Sequence, residues 1–390
     1  KPKYIKTQDK VDAYDFINID TKQAEKFYDL MNYLEKKSHN GFNNFSKNPN
    51  KESIATNFDD KILTNRIDSL TSLPIYKKFG RISNSWVNKK KYSGKESYRM
   101  AFMHLPFECI NMTAGMPEVW VSFWQNDLDK NIKPLLTYIS SNREDFLGKV
   151  INKTAIYLPT EANIMSKTNI FLCFDGNRGS FQWGDNIVMD LLFFNNFDTV
   201  AFANTLCHEL HHRYYTDWLN KNTPLKGKTS KQRVLKSFQT SLIIEGVAQQ
   251  FNFGDKNEQS KVLYNNRLLI EELFNKLVAS IRELETQKNI RKWYKNQYRD
   301  EFDYAMALLK KYSPNGYDFE TISNRPSITY YLSYHLYNSI YKSGGYDKLK
   351  YVIENPKELL NEYNSIYTSE LLIPRIPEDI VTIWRGNFKN

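Results

Sequence analysis

Apolar residues recur at helical spacing along most of the chain. After a polar N-terminal tail, Asp20-Thr21 precedes a predicted amphipathic helix that ends near Ser38 and has Ala24, Phe27, Leu30, Met31 and Leu34 on one face. Beyond residue 196 the pattern predicts helices over 197–219, 232–252, 258–287, 291–312 and 326–343, with shorter ones over 345–352 and 356–365.

Shorter runs of β-branched and aromatic residues lie in the middle of the chain. They predict strands over Thr154–Leu158, Ile170–Phe174 and Ile187–Leu192, after a helix over Asp127–Lys149. The predicted fold class is therefore α+β and mostly helical, with a small sheet before a long central helix and a helical C-terminal subdomain.

The length of 390 residues suggests more than one domain. We predict three regions: 1–130, largely helical and of unassigned role; 131–220, the sheet and the central helix; and 221–390, the helical subdomain.

The net charge of +10 raises the alternative of a polyanion-binding protein. Basic residues are spread along the chain, however, and Lys89-Lys90-Lys91 is the only notable cluster, so nucleic acid is not expected as a partner. The three cysteines Cys109, Cys173 and Cys207 are far apart, which supports neither a cysteine zinc site nor a disulfide framework.

No apolar run approaches the ~20 residues of a transmembrane helix. The chain begins with Lys1, which leads us to expect an extracytoplasmic protein: periplasmic, lipid-anchored, or secreted after removal of a leader. A cytoplasmic location is the alternative.

The strongest chemical pattern is His208-Glu209-Leu210-His211-His212, which contains three of the 6 histidines in the chain. His208 and His212 are one helical turn apart, so both imidazoles project from one face and can bind a single Zn²⁺. Glu209 follows directly and can accept a proton from water that the metal activates. The alternative is a helix whose histidines only face solvent.

A catalytic zinc ion needs a third protein ligand, and the best candidate is Glu245. Its apolar flanks predict burial, and a buried carboxylate needs a partner. Gly246 would let a neighbouring backbone approach closely. The alternative for Glu245 is an ion pair with Arg or Lys. His211 is expected to be packed or hydrogen-bonded rather than metal-bound.

The sequence His208–His212 followed by Glu245-Gly246-Val247-Ala248 resembles the gluzincin metallopeptidases, and within them the little-characterised bacterial families of zinc-dependent peptidases. The resemblance covers roughly residues 150–365 and continues through Tyr330-Tyr331-Leu332-Ser333-Tyr334. Two positions depart from the family. Gln249 stands where many members have an Asp that orients a ligand histidine, and its carbonyl would have to accept that imidazole N–H instead. Ser333 stands where a Gly is usual.

The resemblance implies a zincin-like core in which His208, His212 and Glu245 hold one catalytic Zn²⁺ and Glu209 is the general base. The substrate would be a peptide or protein, bound along an edge strand for which Ile187–Leu192 is the candidate. Tyr330 is the first choice for stabilising the oxyanion, with three alternatives nearby: Tyr331, Tyr334 and His335. The rival functions are a catalytically silent zincin-fold binding protein and a hydrolase acting on an ester or a non-peptide amide.

Overall fold

The structure is a computed structural model that describes residues 16–37, 60–79, 85–87, 90–92, 96, 99, 102, 120, 124, 132–164, 166–174, 179–194, 198–252, 265–287, 304–305, 307 and 327–389. The chain divides into two compact units, Lys1–Lys149 with Met165–Leu206, and Val150–Ile164 with Cys207–Asn390. Most of the predicted helix 291–312 and the start of the predicted helix 258–287 lie outside the described residues. The division into three regions stays a prediction.

The described secondary structure is α+β and mostly helical, which confirms the predicted class. The helices are α1 (Lys22–Lys37), α2 (Lys61–Thr71), α3 (Pro74–Phe79), α4 (Lys133–Ser141), α5 (Arg143–Ile156), α6 (Thr199–Asn222), α7 (Ser230–Asn252), α8 (Arg267–Thr286), α9 (Ser327–Glu354), α10 (Leu359–Ile366) and α11 (Glu378–Gly386). The strands are β1 (Ile17–Asp20), β2 (Ser85–Val87), β3 (Lys90–Tyr92), β4 (Thr168–Cys173), β5 (Phe181–Trp183) and β6 (Asn186–Asp190).

The first unit contains a four-stranded sheet of order β1-β4-β6-β5. β1 and β6 run parallel to β4, and β5 is antiparallel to β6. Because β6 pairs on both sides, the prediction that Ile187–Leu192 is an edge strand is wrong. Among the described strands of this sheet, the edges are β1 and β5.

Two further predictions fail at the ends of α5. The predicted strand Thr154–Leu158 instead covers the last three residues of this helix and the two residues that follow it, and the Thr154 hydroxyl donates to the Val150 carbonyl at 2.8 Å. A hydroxyl bond to the carbonyl four residues earlier is an arrangement that threonine commonly adopts inside helices. The predicted single helix Asp127–Lys149 is broken at Asn142, whose side-chain amide donates to the Tyr138 carbonyl at 3.0 Å and ends α4.

The first unit packs around the apolar face of α1, which is buried at all five predicted positions. Phe27 lies at its centre and contacts the rings of Phe102, Trp120 and Phe174, with centroid separations of 6.0, 5.8 and 4.7 Å. The amphipathic pattern of α1 therefore predicted the correct buried face.

The second unit contains the helices from α7 onward. α9 is two helical segments joined at Gly345, which has φ 70° and ψ −166°. The segment after Gly345 is fixed to the end of α5 and to the turn that follows it: the Tyr346 hydroxyl donates to the Ile156 carbonyl at 2.7 Å, and Glu354 accepts from the Thr160 backbone N–H at 2.9 Å. The C-terminal tail forms α11, where the Trp384 indole N–H donates to the Pro356 carbonyl at 3.0 Å.

None of the described helices combines the length and apolar character needed to cross a membrane. The cellular location stays a prediction.

Candidate metal centre

The His-rich motif lies in the middle of α6, as its pattern predicted. Asp198 caps this helix by accepting the backbone N–H groups of Val200 and Ala201, each at 2.9 Å. No glycine or proline interrupts the helix, so His208 and His212 share one face, with ring centroids 4.4 Å apart. Both imidazoles and Glu209 are buried.

Glu245 lies on α7 with its carboxylate between the two imidazoles. Its Oε2 atom lies 3.4 Å from Nε2 of His208, and its Oε1 atom lies 3.4 Å from Nε2 of His212. One ligand atom from each of the three residues lies within 4.8 Å of the others. The ion pair with Arg or Lys considered above is not formed by Glu245 among the described residues. The structure thus brings the three predicted ligands together.

The spacing of these atoms fits a zinc ion. Two ligands bound tetrahedrally to zinc at about 2.0–2.1 Å lie about 3.3 Å apart, close to the two separations of 3.4 Å found here. Two imidazole nitrogens and one carboxylate also make a common donor set of catalytic zinc sites. The residues present therefore fit the metal that the sequence implied.

The backbone of α7 orients the first histidine. Nδ1 of His208 lies 3.0 Å from the carbonyl oxygen of Ala248; because a carbonyl can only accept, Nδ1 carries a proton and Nε2 is the ring atom that faces Glu245. Gln249, expected to accept from an imidazole, instead directs its amide nitrogen to Oε2 of Glu245 at 3.5 Å. Sequence reasoning missed Ala248 because a backbone carbonyl has no side-chain signature.

His211 is excluded from the ligand face, as predicted. Its Nε2 atom lies 3.2 Å from the Tyr157 carbonyl, and its ring packs against Tyr215 with centroids 5.1 Å apart. Burial and the neighbouring His212 hold the pKa of His211 well below its usual value, so the ring is neutral. His211 therefore joins α6 to the turn after α5.

The ionisation of Glu245 follows from its neighbours. Burial favours the protonated acid, but the imidazoles of His212 and His208 outweigh it and hold the pKa of Glu245 well below the usual range. The carboxylate is thus the stable form, which is the form that binds metal.

Cys207 precedes His208 and points away from the site. Its Sγ atom lies 3.5 Å from the Val150 carbonyl, and burial raises the pKa of its thiol to about 11. The thiol is therefore a protonated packing group.

A neighbouring helix does approach Gly246 closely, but the prediction that its backbone makes the contact is wrong. A Cβ atom added at Gly246 would lie 2.3 Å from Cδ2 of Tyr337 and 3.0 Å from Cβ of Ser333. Both neighbours are side chains of α9, which packs along α7.

Tyr330, predicted to stabilise the oxyanion, lies in the first turns of α9 and is half-buried. Tyr334, one turn later, is buried, and burial raises its pKa to about 12. Tyr331 and His335 are also buried. The role of Tyr330 stays a prediction.

The chain matches one known protein family over most of its length. Residues 67–370, more than half of the chain, match the family described as "Putative zinc dependent peptidase (DUF5700)". The chain belongs to this family. No curated protein and no solved structure matches the chain.

Proposed function

We propose that this protein is a zinc-dependent metallopeptidase in which His208, His212 and Glu245 hold one Zn²⁺ and Glu209 is the general base. The observation that supports this most strongly is the placement of both Nε2 atoms 3.4 Å from opposite oxygens of one carboxylate. Membership of a family described as zinc-dependent peptidases supports the same reaction class.

Zinc bound there would act as a Lewis acid toward a water molecule and the substrate carbonyl. Glu209 follows His208 on the same helix and is itself buried. It accepts a proton from the attacking water and transfers that proton to the leaving amine nitrogen. Tyr330 is our candidate for donating a hydrogen bond to the oxyanion.

The test is cleavage of a broad peptide library, followed by mass spectrometry. We expect the wild type to cleave peptides, a chelator to abolish cleavage, and added zinc to restore it. Glu209→Gln should retain zinc and lose about 10²–10⁴-fold in rate. Glu271→Gln is the control, because Glu271 is a half-exposed residue of α8 paired with Arg267 at 3.6 Å.

Equal inactivity of the wild type and Glu209→Gln, with zinc bound to both, would instead support a catalytically silent binding protein. Cleavage of esters without cleavage of peptides would retain the zinc site but change the bond that is hydrolysed.

A further inference from the structure

The two helices that supply the metal ligands are both contacted by one buried aromatic side chain, Tyr337 of α9. Its ring lies directly on Gly246, the residue after Glu245. Its hydroxyl lies beside that of Tyr215 on α6, close enough for each to influence the other's ionisation, although the two do not form a well-aligned hydrogen bond. Neither tyrosine is exposed.

Tyr215 is itself fixed in place. Its hydroxyl donates to the Ile353 carbonyl at 2.7 Å, and its ring stacks on Trp218 with centroids 5.9 Å apart. It lies one turn beyond His211 on α6, the helix of His208 and His212. A side chain held between Tyr215 and Gly246 therefore sets the distance between α6 and α7 beside the three ligands.

We infer that Tyr337 is a positioning residue, a spacer that holds Glu245 at metal-binding distance from His208 and His212, and that Gly246 is required to admit it. The inference rests on the proposed zinc site. It assigns no contact between Tyr337 and substrate or metal.

The distances show why the site should be sensitive to this contact. A Cβ at Gly246 would lie 2.3 Å from the Tyr337 ring, whereas ordinary carbon contacts are about 3.5–4.0 Å. The ring or α7 would have to move by about 1 Å, while zinc–ligand distances tolerate only about 0.2 Å. Movement of α7 would also displace Ala248, whose carbonyl orients His208.

The test measures zinc affinity of the full chain by competition with a chromophoric chelator. We expect Gly246→Ala to weaken zinc binding about 10–100-fold, as is typical for residues that support metal ligands. We also expect the double variant Gly246→Ala/Tyr337→Leu to bind zinc at least threefold more tightly than Gly246→Ala but less tightly than the wild type, because leucine lacks the ring edge that meets the added Cβ and also lacks the full spacer. The absorption spectrum of the cobalt-substituted protein should change in Gly246→Ala and return toward that of the wild type in the double variant.

Two controls separate positioning from general destabilisation. Gly148→Ala adds a Cβ that meets nothing within 4 Å. Tyr363→Leu removes an equally buried tyrosine of the same unit, one whose hydroxyl donates to the Ile373 carbonyl at 2.5 Å. Both should keep the zinc affinity of the wild type.

A Gly246→Ala affinity within threefold of the wild type would overturn the inference, as would a double variant that binds no better than Gly246→Ala. If Gly246→Ala fails to fold, Tyr337→Leu alone decides: at least fivefold weaker binding supports the spacer, and any smaller change overturns it. Lack of zinc binding by the wild type would overturn the proposed function, and this inference with it, whereas the first two outcomes leave the proposed function intact.

Discussion

Nδ1 of His208 lies 3.0 Å from the carbonyl oxygen of Ala248, so the helix that supplies Glu245 also orients the first imidazole. Ala248 is three residues after Glu245, about one turn along α7. Because the acceptor is a backbone atom, substitution of the side chain at 248 does not remove it. The geometry of two of the three candidate ligands thus depends on the placement of a single helix.

Adjacent histidines of α6 should respond differently to the same substitution. We expect His212→Phe to lose zinc, because its Nε2 atom faces Glu245 at 3.4 Å. His211→Phe should retain zinc but unfold at a lower temperature, because it leaves the buried Tyr157 carbonyl without its partner, at a cost of about 1–3 kcal/mol. Zinc content and thermal unfolding of both variants test this. Equal loss of zinc from two folded variants would contradict the assigned roles.

The candidate metal centre shows most clearly which features could be predicted from the sequence alone. The spacing of His208 and His212 follows from helix geometry, so their shared face was predictable. The proximity of Glu245 to these two histidines was predictable as well, because it requires only that a second helix run back alongside the first. The acceptor at Ala248 and the Tyr337 contact at Gly246 were not predictable, because both depend on how α7 is rotated against its neighbours. No residue pattern encodes that rotation directly.

The fold likewise contains elements that could be predicted from the sequence and elements that could not. The amphipathic pattern of α1 predicted its buried face, and the apolar strands β4 and β6 were predicted to within two residues at each end. The three-residue strand β5 was missed because it is too short to show alternation. Its absence from the prediction also made β6 look like an edge strand. The end of α5 was misassigned because its β-branched residues favour strands. The packing of the unit overrides this local preference and selects the helix.

Asp60 should make the stability of the first unit depend on acid pH. It caps α2 through the backbone N–H groups of Ile62 and Leu63 and pairs with Lys37. Partial burial opposes ionisation, but hydrogen bonds from Lys37, Leu63 and Tyr33 hold the pKa of Asp60 at about 2. A carboxyl group with a lowered folded pKa stabilises the protein above its unfolded value of about 3.9, and this contribution is lost as the pH falls toward 2.

We therefore expect Asp60→Asn, which keeps the cap but removes the charge, to lower the free energy of unfolding by about 1 kcal/mol at pH 7. The difference from the wild type should shrink between pH 4 and about 2. Asp60→Ala loses the cap as well and should cost about 1 kcal/mol more. Urea unfolding across this pH range is the measurement, and a difference independent of pH would refute the charge contribution.

Gly345 should be the least replaceable residue of the junction within α9. Its φ of 70° and ψ of −166° lie in a region that essentially only glycine adopts. Gly345→Ala should therefore lower the free energy of unfolding by about 1–3 kcal/mol. Gly148→Ala, inside α5 with open space around the added Cβ, should instead stabilise by about 0.5–1 kcal/mol. Thermal unfolding distinguishes them, and the same shift in both variants would be inconsistent with this backbone conformation.

The most direct test of the proposed zinc centre is elemental analysis of the purified wild type and Glu245→Ala. Glu271→Ala serves as the control, since it removes a half-exposed carboxylate from α8. We expect about one zinc per chain in the wild type and the control, and a sharply lower content in Glu245→Ala. Full zinc retention by Glu245→Ala would place the third ligand elsewhere. Lack of zinc in the wild type, even after reconstitution, would contradict the proposed metallopeptidase.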